Sequence, residues 1–159
     1  MKLFYTLVIS FFLFFNLAYA IDDFNFDVTE AEISDDGNIF KGLKGGTATS
    51  REGLVITAEN FEYNKALNIL NALGDVIIED KINKQIIYAD KITYLKDDEK
   101  IITKGKTKAI IESNYNFLSS DVIFFRDKMI LISEKKSSIT DKSLNLYELD
   151  NFEYSIKQK

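Results

Sequence analysis

The chain has 159 residues, enough for one domain at most, and is 46% hydrophobic and 13% aromatic, which suffices for a real core. Its net charge of −5, with acids and bases interspersed, argues against a nucleic-acid partner, which would want a basic face. Cysteine, histidine and proline are absent, so there is no disulfide framework, no thiolate or imidazole chemistry, and nothing to interrupt strand ladders.

Met1-Lys2 supplies a positive charge, Leu3 to Leu17 is a greasy run, and Ala18-Tyr19-Ala20 is a small-x-small site. This pattern predicts a signal peptide over residues 1–20, cleaved after Ala20, because the run is shorter than the ~20 residues a membrane-spanning helix needs. Removing 20 of 159 residues leaves a mature chain of 139 starting at Ile21. The folded part, residues 21–159, is then expected outside the cytoplasm, on the periplasmic side in a bacterium.

Ile21 to Asn25 reads as a lead-in. FDVTEAEISD (Phe26 to Asp35) is a weak first copy of a repeat, closed by the turn Asp35-Asp36-Gly37-Asn38, whose residue types tolerate positive φ. The glycine-rich IFKGLKGG (Ile39 to Gly46) lacks the Gly-Lys-Ser/Thr ending and the following helix of a phosphate loop, and reads as a strand loosened by glycine. After the turn Arg51-Glu52-Gly53 comes LVITAENFEY (Leu54 to Tyr63). It returns as QIIYADKITY (Gln85 to Tyr94), NFLSSDVIFF (Asn116 to Phe125) and NLYELDNFEY (Asn145 to Tyr154). Anchored on Ile33, Phe61, Ile92, Ile123 and Phe152, the copies are spaced by 28, 31, 31 and 29 residues. A period of roughly 30 residues is two short strands and two turns.

Within each copy, two alternating stretches are out of phase. Leu54, Ile56 and Ala58 are followed by Phe61 and Tyr63; Ile87 and Ala89 by Ile92 and Tyr94; Leu118 and Ser120 by Ile123 and Phe125; Tyr147 and Leu149 by Phe152 and Tyr154. Residues on one face of a strand sit two apart, so a recurrent step of three predicts an extra residue, a β-bulge that bends the strand and keeps both arms apolar on the inside. The partner strands, LNALGDVIIED and IITKGKTKAIIES, carry Gly74 and Gly105 at matching places, a sign of a bend or close backbone approach. Stacked copies predict an all-β antiparallel fold: a sheet folded along a crease, or two sheets meeting in a V. Apart from the signal peptide, no stretch has helical periodicity.

Glu59, Asp90, Asp121 and Asp150 recur at the bend. Paired carboxylates can hydrolyse glycosides, but acids that follow the repeat are expected to accept the N–H groups a bulge leaves unpaired. Tyr63, Tyr88, Tyr94 and Tyr154 read as strand tyrosines that pack with hydroxyls at the rim, and Lys104, Lys106 and Lys108 as a solvated strand face.

Ile56-Thr57-Ala58-Glu59-Asn60-Phe61-Glu62-Tyr63, Ala72-Leu73-Gly74-Asp75-Val76 and Ala89-Asp90-Lys91-Ile92-Thr93-Tyr94 resemble the OstA-like, or LptA-like, family of lipopolysaccharide transport, over about residues 26–154. The fourth copy departs, with Leu118 for isoleucine, Ser120 for alanine and Lys136 for glycine. The resemblance implies a β-jellyroll, or β-taco, in which a greasy interior holds lipopolysaccharide acyl chains. It also implies partners in other β-taco modules and in the outer-membrane assembly complex, and no cofactor or metal. In that family the fold serves both a small soluble bridge protein and the N-terminal module of the barrel-bearing assembly protein. The cleft is expected to be lined by Ile56, Ala58, Phe61, Ile87, Ala89, Ile92, Leu118, Ile123 and Phe125. An open sheet also leaves two edges for strand addition. The rival expectations are a closed core in a periplasmic adaptor and, more remotely, a polysaccharide-active enzyme.

Overall fold

A computed structural model of the protein describes residues 23–156; the expected signal peptide and its cleavage point lie outside the described residues. Thirteen strands follow one another: β1 (Phe24–Ser34), β2 (Ile39–Ser50), β3 (Leu54–Ala58), β4 (Asn60–Asn64), β5 (Ile69–Asp80), β6 (Gln85–Leu95), β7 (Lys100–Ile111), β8 (Tyr115–Ser120), β9 (Ile123–Phe125), β10 (Ile130–Ser133), β11 (Ser137–Thr140), β12 (Leu146–Leu149) and β13 (Phe152–Ser155). They form one sheet whose neighbours are all antiparallel. The predicted turn at Asp35–Gly37 is a single 3-10 turn, with Asp35, Asp36 and Gly37 all at positive φ.

β3 and β4 are two halves of one bent run, both lying between β2 and β5. β8 and β9 are likewise halves of a run beside β7, β10 and β11 of the next, and β12 and β13 of the last. The sheet is thus a single meander folded across every strand. The first arm carries β3, β8, β11 and β12 and the halves 76–80, 85–89 and 107–111 of β5, β6 and β7. The second arm carries β4, β9, β10 and β13 and the halves 69–73, 91–95 and 100–104.

The ladder shows where the extra residue sits. Between Ala89 and Ile92, β6 takes three steps, while its partners go from Val76 to Ala72 and from Thr107 to Thr103, four steps each. The phase slip is in the repeated motif, as predicted, but the surplus residue is in the glycine strands, at Gly74 and Gly105. Both have left-handed φ, +84 and +79, and a Cβ on them would run into the carboxylates of Glu59 and Asp90. The repeat therefore couples an acid in one strand to a glycine 15 residues later in the next.

The fourth copy is read in the wrong phase by the sequence. Phe117, Val122 and Phe124 are buried, whereas Leu118 is 51% exposed and Ile123 and Phe125 lie half-buried on the opposite face. The step of three survives, from Ser119 to Val122, one residue earlier than the alignment puts it. Three adjacent apolar pairs, Phe117-Leu118, Val122-Ile123 and Phe124-Phe125, make the alternation ambiguous. The register with β7 resolves it by pairing Phe117 with Ala109 and Phe124 with Ile101. Lys136 stands where a glycine is expected, and serines mend the crease there: Ser119 Oγ lies 2.7 Å from Ser137 Oγ, and Ser133 Oγ donates to the Ser120 carbonyl at 2.9 Å.

Candidate functional site

The interior between the arms is built in rows. Ile56, Ile78, Ile87, Ala109 and Phe117 form one row across the first arm. Tyr63, Leu70, Tyr94, Ile101 and Phe124 form its counterpart in the second. Toward the crease the small side chains of Ala58, Ala72, Ala89, Thr103, Thr107 and Ser119 are set among Phe61, Val76, Ile92 and Val122. Small side chains there let the two arms converge. Thr103 Oγ lies 2.7 Å from Thr107 Oγ and accepts the Val122 N–H at 2.8 Å, satisfying backbone that the bend would otherwise strand.

Of the residues expected to line a cleft, Ile56, Ala58, Phe61, Ile87, Ala89 and Ile92 come together inside this interior, each at most 7% exposed. Leu118, Ile123 and Phe125 do not; their neighbours Phe117, Val122 and Phe124 take the inner positions. Aromatic rings close both ends. Phe26 stacks on Phe40 at 4.2 Å, and Phe24 meets the edges of Tyr63 and Tyr94 at 5.1 and 5.8 Å. At the other end Phe117 packs on Phe152 and Tyr154 at 5.3 and 4.8 Å.

The mouth, where the hairpin turns of the two arms meet, is polar. Lys96 bonds Glu52 across it at 3.3 Å, Arg126 reaches Asp80 at 3.4 Å, and Asn68 donates to Asp23 at 2.8 Å. Glu99 pairs with both Lys96 and Arg126, and the Tyr94 hydroxyl donates to Glu99 at 2.8 Å. Burial works against the charges of Lys96 and Arg126. For Lys96, Glu99 and Glu52 outweigh it; for Arg126, Tyr94, Glu99 and Asp80 do, and both pKa values lie above the ordinary ones. The Tyr94 phenol is pushed well up, first by burial and then by Glu99, with Arg126 opposing. Of these mouth residues only Tyr94 stood out in the sequence; the charged ones lie in turns or at a strand end, where charge looks solvated.

Two of the four repeated acids are engaged with backbone. Asp90 accepts the Lys106 N–H and Asp121 the Gly105 N–H, both at 3.2 Å. Asp121 reaches back to the preceding strand and Asp90 forward to the next. Asp150 is exposed in the bend between β12 and β13. Among the described residues no cluster of three or more Asp, Glu, His or Cys could hold a metal ion. Tyr63 and Tyr94 pack inward with hydroxyls on the turns, at Asn68 and Glu99. Tyr88 faces outward under Lys108, and Lys104, Lys106 and Lys108 are exposed.

No family model matches the chain, and no curated protein does. A solved structure does. It is the crystal structure of LptH, the LptA-homologous periplasmic component of the conserved lipopolysaccharide transport device of Pseudomonas aeruginosa. The two superpose with a TM-score of 0.57 at 15% sequence identity, over 64% of this chain and 75% of that one. At that identity the likeness establishes the fold: the antiparallel sheet here is an LptA-like β-jellyroll.

Proposed function

We propose that this protein is a non-enzymatic periplasmic module of lipopolysaccharide transport that shelters acyl chains between its two arms. The observation that carries this reading is an apolar interior running unbroken from the aromatic cluster at β1 to the one at β8 and β13, in a fold shared with LptH. Each buried methylene is worth ~0.8 kcal/mol, so a few acyl chains offset the several kcal/mol that association costs. An interior as apolar as a bilayer accepts a lipid without trapping it, which suits a relay.

The sheet ends support partners of the same kind. On β1, Ile33 shares the inner row with Phe40 yet is 68% exposed. At the far end Tyr147 and Leu149 belong to inner rows, beside Ile139 and Ser137, and are 49% and 38% exposed. Edges that are unpaired among the described residues, with uncovered apolar rows, fit strand addition by another β-taco module, such as those of an outer-membrane assembly complex.

A second reading has its own observation. With the six lining residues at most 7% exposed, the interior is filled by its own side chains, as in an adaptor that binds no lipid. Photo-crosslinking in cells separates the two. A photoreactive residue replaces Phe61 inside, with Lys106 and Leu118 on the outer face as controls. Capture of lipopolysaccharide at Phe61 alone is expected of the carrier; no capture at any position would establish the adaptor.

A further inference from the structure

If the interior takes acyl chains, as the reading above has it, something has to part. The crease cannot, since its ladder is mended by hydroxyls and carboxylates. The mouth is different. Its two ionic ties share one design: Lys96 and Arg126 stand on turns of the second arm, both held from behind by Glu99, with Tyr94 also on Arg126. From there they reach over to Glu52 and Asp80 on the first arm. The cations thus belong to one arm and their second partners to the other.

We propose that Glu52–Lys96 and Asp80–Arg126 form a latch across the mouth, whose release lets the arms part and admits a lipid chain sideways. Three features favour a latch over a permanent seal. An apolar seam would expose hydrocarbon to water on opening with nothing to offset it, whereas charges that part are rehydrated, which offsets the pairing they lose. On opening, Lys96 and Arg126 stay paired with Glu99, so neither is left as a lone buried charge. The closed form is also imperfect at this point: Arg126 Nε and the Oε1 of Gln85, which faces Met129 across the same mouth, are buried without a protein partner. The side chains of Lys96, Arg126 and Asp80 are 11%, 10% and 7% exposed, which a loose surface pair would not be.

The test uses the absence of native cysteine. Spin labels go on Ile82→Cys and Asp127→Cys, in opposing turns and outside the latch. Distance distributions are compared between the wild-type mouth and Glu52→Gln/Asp80→Asn. The Asn at position 80 keeps an oxygen for the Asn83 N–H that Asp80 accepts, and Lys96 and Arg126 keep Glu99. A longer and broader distribution is expected in the double variant, with several-fold faster uptake of a fluorescent fatty acid. A distribution equal to wild type overturns the latch. Should the double variant fail to fold, Glu52→Gln alone, at a half-exposed turn position, is expected to lengthen the distances in the same sense, and an unchanged distribution again overturns it. Longer distances with no fatty acid bound by either protein would uphold the latch and refute the carrier reading instead.

Discussion

Gly105→Ala tests whether the crease depends on the pairing of a glycine with an acid. Two costs can be separated. Gly105 has φ +79, where an L-residue costs ~1–2 kcal/mol. The new Cβ would also displace the Asp90 carboxylate, which accepts the Lys106 N–H in an exposed setting; losing that bond costs ~0.5–1.5 kcal/mol. Together they come to about 1.5–3.5 kcal/mol, a fall in the urea midpoint of roughly 1 M for a small domain. The assay is urea unfolding followed by circular dichroism, for Gly105→Ala, Asp90→Ala and the double variant. In the Asp90→Ala background the steric part is gone, so Gly105→Ala is expected to cost only the backbone part, ~1–2 kcal/mol. An equal cost in both backgrounds, or a Gly105→Ala variant as stable as wild type, would refute the coupling.

Phe117→Ala is expected to cost ~3–5 kcal/mol and Leu118→Ala under about 1 kcal/mol, since the first empties the core and the second trims a half-exposed side chain; thermal melts giving the reverse order would put the fourth repeat back in its sequence-read phase. Tyr94 holds its proton because burial and Glu99 raise its pKa. A raised folded pKa means stabilisation that is complete below the free-phenol value of about 10 and is lost as pH climbs from there through the folded value. Phenolate absorbance should therefore show a late component that shrinks in Tyr94→Phe, the rest coming from Tyr154, which burial also raises; a late component of undiminished size would contradict this. Leu149→Lys, placing a charge on the uncovered inner row of β12, should weaken end-to-end association in sedimentation velocity, and undiminished association would show that this end is not the docking edge.

Much of the architecture was legible in the chain because a tandem repeat states its rule several times. The step of three in Leu54–Tyr63 and Gln85–Tyr94, and Gly74 and Gly105 at matching places, were enough to predict a sheet folded along a crease with Ile56, Ala58, Phe61, Ile87, Ala89 and Ile92 on one side. Side-chain alternation is a local property of an extended backbone, so short sequence carries it. Three matters needed the tertiary structure. The bulge lies in the glycine strands because an extra residue is defined only against a partner, and a single strand does not contain its partner. The fourth repeat's phase was set by pairing with β7, since Phe117 and Leu118 are equally apolar and alternation cannot choose between them. The mouth's ionic ties join residues 44 and 46 positions apart, Glu52 to Lys96 and Asp80 to Arg126, in turns and at a strand end that no local pattern links. Only folding the sheet brings those sites face to face, so local pattern determined what lies inside the arms in the second and third copies, and long-range geometry decided the fourth copy and what holds the arms shut.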